Sequence, residues 1–254
     1  MNDSKILAGL ISPSVLAEAE SDSSGAVLAD IRACDCLEIR YDLFDSTTDW
    51  SRLAARVAHL HPGALLLGTI RLQRDGGNFD NSMASMRLPI WGRILDGEKA
   101  PHWLDLELEC VRDFEALQGL AAVCGTRVLL SQHHFDGIPP EGELNSFAQQ
   151  CRHLGASGFK IACMSHRQGH TARLYSFIRK QAAHFEQFSA FAMGATGRAS
   201  RVYSLACGAN LTYGAIGEAL APGQIQVMPM RRLLDDLTLC HEEADVERRL
   251  GARA

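Results

Sequence analysis

The feature that most limits how this chain can fold is an eightfold alternation of short apolar runs with amphipathic stretches. ILAGLIS (6–12), CLEIRYDL (36–43), ALLLGTI (64–70) and WLDLEL (103–108) form the first four runs. RVLLSQH (127–133), GFKIACM (158–164), FSAFAMG (188–194) and NLTYGAI (210–216) form the second four. Helical spacing fills the gaps, for example over 49–60, 110–123, 143–154, 170–183 and 231–248. Parallel strands need crossovers of a dozen or more residues, and these gaps are long enough to supply them. Repeated strand–helix units therefore predict a parallel sheet wrapped by helices. Eight units in 254 residues fit an α/β fold closed into a (β/α)8 TIM barrel. An open doubly wound sheet carries the same local pattern and is the alternative. No linker-like or low-complexity stretch interrupts the chain, so one domain over 1–254 is expected. Pro139-Pro140-Glu141-Gly142 reads as a loop and helix entry, not a boundary.

The second informative feature is charge inside the predicted strands. In CLEIRYDL, Glu38, Arg40 and Asp42 alternate with Leu37, Ile39, Tyr41 and Leu43. Side chains alternate across a strand, so the three charges share one face. The apolar face must meet the helices, which sends the charges into the barrel interior. Asp105 and Glu107 repeat the pattern in the fourth run. Arg71 follows the third run, His133 ends the fifth, and Lys160 interrupts the sixth. Buried charges are costly unless paired. Glu38, Asp42, Asp105 and Glu107 give four negative charges against three positive ones from Arg40, Arg71 and Arg201, leaving Lys160 to titrate. An internal ion-pair network without chemistry is the plainer explanation. Against it, barrels place their catalytic groups at strand ends, where several of these residues fall. Arginines near Lys160 are expected to leave part of its amine uncharged. An uncharged amine can attack a ketone, and the resulting iminium is an electron sink. His133 is suited to general acid/base work at neutral pH.

Composition excludes several classes. The net charge of −5 argues against a broad basic surface for nucleic acid. No apolar run approaches the roughly 20 residues that span a bilayer, so no membrane partner is expected. The N-terminus lacks the cationic start and apolar core of a signal peptide, which predicts a cytoplasmic protein. Eight scattered cysteines without a CxxC pair read as reduced, buried thiols in a reducing compartment. HRQGH (166–170) spaces two histidines like a zinc helix but lacks the Glu that follows the first, so no metal is expected. GATGRAS (194–200) lacks the ending of a nucleotide loop, although it could place backbone N–H groups and Arg201 near an anion.

Six segments, in order, resemble the type I 3-dehydroquinate dehydratase family. LEIRYD looks like the family's E-x-R-x-D strand, and TIRLQRDGG like its T-x-R-x-x-x-E-G-G segment. LLSQHHF resembles S-x-H-x-F, and FKIACM the strand that carries a Schiff-base lysine. MGATGRASRV is similar to M-x-x-x-G-x-x-S-R, and YGAIGEALAPGQIQV to the last strand and its A-P-G-Q lid. The resemblance implies dehydration of 3-dehydroquinate to 3-dehydroshikimate, in the shikimate pathway or quinate breakdown. It implies no cofactor and no metal, a small-molecule substrate and a homodimer. By position, Lys160 would form the imine and His133 would act as acid and base. Asp75 would stand beside the histidine, where many relatives carry Glu. Arg201 would bind the carboxylate. Glu38, Arg40, Arg71 and Gln224 would hold ring hydroxyls, and Met193 and Tyr213 would pack on the ring. His134 and Leu220 also depart from the usual pattern. A class I aldolase-like lyase and a catalytically silent barrel binding quinate-type ligands are the rival readings.

Overall fold

The computed structural model describes residues 5–167, 169–218 and 223–238. Leu220, and the part of the expected last helix beyond 238, lie outside the described residues. Eight strands follow one another as β1 (Ile6–Ile11), β2 (Cys36–Arg40), β3 (Leu65–Thr69), β4 (Trp103–Glu107), β5 (Arg127–His134), β6 (Gly158–Met164), β7 (Gln187–Met193) and β8 (Leu211–Ala215). A two-residue strand, β9 (Ile225–Gln226), extends the edge of β8. Between them run α1 (Pro13–Ser21), α2 (Ala26–Arg32), α3 (Trp50–Leu60), α4 (Arg87–Leu95), α5 (Phe114–Val123), α6 (Glu141–His153), α7 (Thr171–Gln181) and α8 (Ser200–Ala206). Residues 227–238 are helical as well. None of these helices is long and apolar enough to cross a membrane.

All strand pairings are parallel, in the order β7-β6-β5-β4-β3-β2-β1-β8-β9. Across the seam between β7 and β8, the Phe191 and Tyr213 rings meet at 5.8 Å and Asn210 supplies hydrogen bonds. Asn210 donates its backbone N–H to the Phe188 carbonyl at 3.1 Å. Its side-chain Oδ1 accepts from the Phe188 N–H at 2.8 Å, and its Nδ2 donates to the Glu186 carbonyl at 2.8 Å. Its own carbonyl accepts from Ile6 N at 2.7 Å. A side chain here does the work of a missing strand ladder.

Period-two alternation separates two cores. Leu7, Leu37, Ile39, Leu66, Leu104, Leu130, Phe159 and Phe188 point outward into the helix layer. They meet apolar helix faces such as Leu53, Ala54 and Val57 of α3, and Leu174, Phe177 and Ile178 of α7. At Gly9 the approach is too close for any side chain, since a Cβ would lie 2.5 Å from Cys34 Sγ. Inside the barrel a smaller cluster of Ile6, Ala8, Cys36, Leu67, Trp103, Leu129 and Leu211 plugs the N-terminal half of the strands. The polar positions therefore occupy the C-terminal half, the end where barrels carry chemistry.

Several expected boundaries shift, and the last helix begins at 227 and not at 231. β2 ends at Arg40, because Tyr41–Leu43 forms a single 3-10 turn. Tyr41 turns to pack against Trp50 and Trp91, with ring centroids 5.9 and 5.8 Å away. Asp42 consequently does not line the interior. It accepts two hydrogen bonds from Arg40, at 2.8 and 2.7 Å, and one from Asn78 N at 3.0 Å. The helix expected over 110–123 begins only at Phe114, after 3-10 turns kinked at Cys110. α6 starts two residues earlier than expected, and places Glu141 and Glu143 at its positive end.

Asn210→Ala removes the acceptor of Phe188 N–H and the donor to Glu186. It should lower stability by about 1–3 kcal/mol, the range for leaving buried backbone groups unpaired. Urea unfolding measures this, and a change under about 0.5 kcal/mol would show that the seam does not depend on Asn210.

Candidate active site

The strand C-termini surround a cavity of about 280 Å3. Its lining includes all ten residues expected from the sequence: Glu38, Arg40, Arg71, Asp75, His133, Lys160, Met193, Arg201, Tyr213 and Gln224. Leu10, Gly76, Phe135, Ala162 and Phe191 complete the wall and were given no role from the sequence. Among the described residues, no three His, Cys, Asp or Glu side chains converge as metal ligands do.

Lys160 sits mid-strand on β6, with only 6% of its side chain exposed. Its cross-strand neighbours are Ser131 on β5 and Ser189 on β7, so no bulky side chain crowds the amine from either side. Nζ lies 3.1 Å from Asp105 Oδ2 and 3.4 Å from Glu38 Oε1. Beneath it, the Tyr213 ring centroid is 4.5 Å away. The charges nearest Nζ are therefore carboxylates, not the arginines expected from sequence. The interior alternation of β2 and β4 brings Glu38 and Asp105 to the level of the lysine.

Those carboxylates belong to a larger network. Arg71 donates to Asp105 at 2.6 Å, to Glu107 at 3.0 Å and to Ser131 Oγ at 2.8 Å. Thr69 Oγ1 donates to Glu38 at 2.6 Å. Arg87, reaching in from α4, pairs with the far oxygen of Glu107 and donates to the Ile70 carbonyl and Cys110 Sγ. Burial alone would push the Asp105 carboxyl up. The positive charges of Arg71 and Lys160 and the hydrogen bonds from Ser131 and Arg71 outweigh it and hold the group well below the usual carboxylate range. Three carboxylates (Glu38, Asp105, Glu107) thus face three cations (Arg71, Arg87, Lys160), and Arg40 is matched by Asp42.

Arg201 stands outside that balance. It is 1% exposed, its guanidinium lies over the Phe191 ring at 4.2 Å, and among the described residues its Nε and Nη1 find no acceptor. Burial lowers its pKa to about 10. Such an arginine is a ready receptor for a ligand carboxylate.

His133 ends β5 with a side chain one-tenth exposed. Burial, reinforced by Arg71 and Lys160, holds its pKa well below the ordinary imidazole value, so the ring is neutral at neutral pH. Its Nδ1 lies 3.6 Å from Asp75 Oδ1, beyond hydrogen-bonding distance. Burial raises the Asp75 carboxyl, against the pull of Arg71 and Arg74. Asp75 Oδ2 instead lies 3.5 Å from Arg74 Nε, and among the described residues His133 Nδ1 has no hydrogen-bond partner. His134 points to the opposite face, where its ring stacks on Phe147 at 5.4 Å.

Gln224 reaches the mouth from the loop that follows β8. That loop touches the turn after β7 closely: Gly223 has φ +76°, and a Cβ there would lie 2.4 Å from the Gly194 carbonyl oxygen. Ser131 and Thr69 fell inside the S-x-H-x-F and T-x-R segments but were given no role there, although they continue the alternation of His133 and Arg71. Arg87 left no comparable signal, because it comes from a helix.

A parallel (β/α)8 barrel with a buried amine, a neutral histidine and an unpaired arginine around one cavity belongs to the barrel enzymes that handle small anionic substrates. The family can be stated more closely. A family model described as Type I 3-dehydroquinase matches residues 15–239, and the chain belongs to this family. The 3-dehydroquinate dehydratase of Pyrococcus abyssi is 31% identical over 206 residues, covering 79% of this chain and 86% of that protein. The catabolic 3-dehydroquinate dehydratase of Acinetobacter baylyi is 29% identical over 215 residues, covering 82% and 78%. The type I 3-dehydroquinate dehydratase structure from Clostridium difficile, with covalently modified comenic acid, shares the fold with a TM-score of 0.77. It is 20% identical and covers 92% of each chain. The enzyme from Enterococcus faecalis gives 0.76 at 24% identity, covering 92% and 94%.

The depressed His133 has a measurable consequence. Unfolded, its imidazole takes a proton near 6.5; folded, it resists until well below that value. Between those limits the unfolded chain binds more protons, so stability falls as pH drops below about 6.5. His133→Asn should flatten this slope, by at most about 1.4 kcal/mol per pH unit. Unfolding of both proteins at about pH 5.5 and 7 measures the difference. Identical slopes would mean that His133 is not held neutral.

Proposed function

We propose that this chain dehydrates 3-dehydroquinate to 3-dehydroshikimate and water through an imine on Lys160. The observation that carries the reading is one cavity holding both a buried strand lysine and the unpaired Arg201. The substrate carboxylate seats on Arg201, and the C3 ketone meets Lys160 Nζ. The amine adds to the ketone and water departs, leaving an iminium. The iminium keeps the positive charge of the ammonium it replaces, so Glu38 and Asp105 stabilise both. Neutral His133 takes the C2 proton, and the bonding pair flows toward the iminium nitrogen. The resulting enamine expels the C1 hydroxyl, which leaves as water with the proton from His133. A second water hydrolyses the conjugated imine and frees Lys160. The iminium is itself the electron sink, so the proposal invokes no metal or cofactor.

Asp75 orients the histidine. Glu38, Arg40, Arg71 and Gln224 hold the ring hydroxyls, and Met193 and Tyr213 pack against the ring. The reading takes 1–254 as a single catalytic domain, working in the cytoplasm as a homodimer without nucleic-acid or membrane partners. Unpaired thiols at all seven cysteines among the described residues suit a reducing compartment.

Borohydride added with 3-dehydroquinate should inactivate the protein and modify Lys160, as read by peptide mass mapping. Modification at Lys99 or Lys180 with Lys160 untouched would end the proposal. Asp75→Glu adds the methylene that the 3.6 Å gap to His133 lacks. A hydrogen bond gained there should raise kcat/KM by about two- to ten-fold. A clear loss in steady-state kinetics would show that the shorter carboxylate is matched to its surroundings.

A further inference from the structure

The cross-strand neighbour of Lys160 on β5 carries a hydroxyl whose orientation can be deduced. Ser131 is 1% exposed, and its Oγ lies 2.5 Å from Asp105 Oδ1 and 2.8 Å from Arg71 Nη1. A guanidinium only donates, so Oγ must accept from Arg71. The single hydroxyl proton is then committed to Asp105 Oδ1. The other carboxylate oxygen, Oδ2, is shared between Arg71 Nη2 at 2.6 Å and Lys160 Nζ at 3.1 Å. Of these three contacts to Asp105, the one to the lysine is the longest. Ser189, the neighbour on the other side of Lys160, shows no such arrangement, since its Oγ has no hydrogen-bond partner.

We propose that Ser131 is a positioning residue that keeps Asp105 turned toward Arg71 and so leaves the Lys160 amine loosely held. With Oδ1 occupied by the hydroxyl, the Asp105 oxygen that faces Nζ is the one already engaged by Arg71. Lys160 can then release a proton and swing toward a ketone without breaking a tight ion pair. Without the hydroxyl, Asp105 loses a bond that stabilises its charge, and Oδ1 must find another donor. The protons of Lys160 are within reach of the same carboxylate, and a closer pair would hold them. The other groups facing Nζ are Glu38 from β2 at 3.4 Å, the Tyr213 ring from β8, the charge of Arg71 and the neutral His133 ring. None of them contacts Asp105 Oδ1.

The inference rests on Lys160 as the imine-forming residue, and the test separates the two. The rate of borohydride inactivation with 3-dehydroquinate is measured across pH for the parent, Ser131→Ala and Ser131→Thr. The acid limb of Ser131→Ala should move up by about 0.5–1 pH unit, the equivalent of one hydrogen bond, with rates converging on the parent at alkaline pH. Ser131→Thr keeps the hydroxyl and should return the limb toward its parental position. If the alanine variant does not fold, Ser131→Cys, a weaker donor of similar size, should show a smaller displacement in the same direction. An equal loss of rate at every pH, or an unmoved limb, overturns the role of Ser131. A parent protein that is not trapped at all overturns Lys160 instead.

Discussion

The pairing of Asp105 with Arg71 inside the barrel is the interaction on which the site depends. An isolated buried charge costs several kcal/mol, and a pair is tolerated only when its remaining lone pairs and protons are satisfied. Here Arg71, two residues past the end of β3, engages Asp105 and Glu107 of β4 and Ser131 of β5. Asp105 passes the connection to Lys160 of β6, which also touches Glu38 of β2, itself held by Thr69. Five adjacent strands are thus tied together at one level. The apolar plug below them, from Ile6 to Leu211, keeps that level dry on one side and leaves the cavity open on the other.

Such a network fixes the lysine's position and leaves its surroundings charge-balanced. Balance matters for the proposed chemistry, in which the amine alternates between ammonium, free amine and iminium and each change alters local charge by one unit. Carboxylates that already share their oxygens with arginines respond to that change less than carboxylates held by the lysine alone. The neutral His133 fits the same logic. Burial beside Arg71 and Lys160 keeps a second positive charge off the ring until a substrate proton arrives.

Much of this could be read in the sequence because a strand has a period of two. Glu38, Arg40, Asp105, Glu107 and His133 announced an interior face by alternation alone, and each lies where that pattern places it. Asp42 broke the pattern because β2 ends at Arg40, two residues before it. What stops it is the packing of Tyr41 on Trp50 and Trp91, from distant parts of the chain. Arg87 was hidden because a helix residue entering the strand layer leaves no periodic trace. The carboxylate surroundings of Lys160 were hidden for another reason: which interior residues share a level depends on how neighbouring strands are staggered, and no single strand encodes that. Asn210 was invisible as a seam, since its four hydrogen bonds depend on where β7 and β8 meet.

Arg201 is the exception that gives the network its purpose. Every other cation of the interior has its carboxylate, whereas Arg201 is buried with unused donors and a pKa lowered to about 10. Without a ligand it is a destabilising element retained for binding, the kind of compromise found where function opposes stability. Thermal unfolding of the parent and of Arg201→Met, each with and without quinate, tests this most directly. Quinate has the substrate's ring and carboxylate but lacks the ketone. The account predicts that Arg201→Met melts at a higher temperature than the parent when both are free of ligand, and that quinate no longer raises its melting temperature. A variant that melts lower than the parent, yet is still stabilised by quinate as strongly, would contradict it.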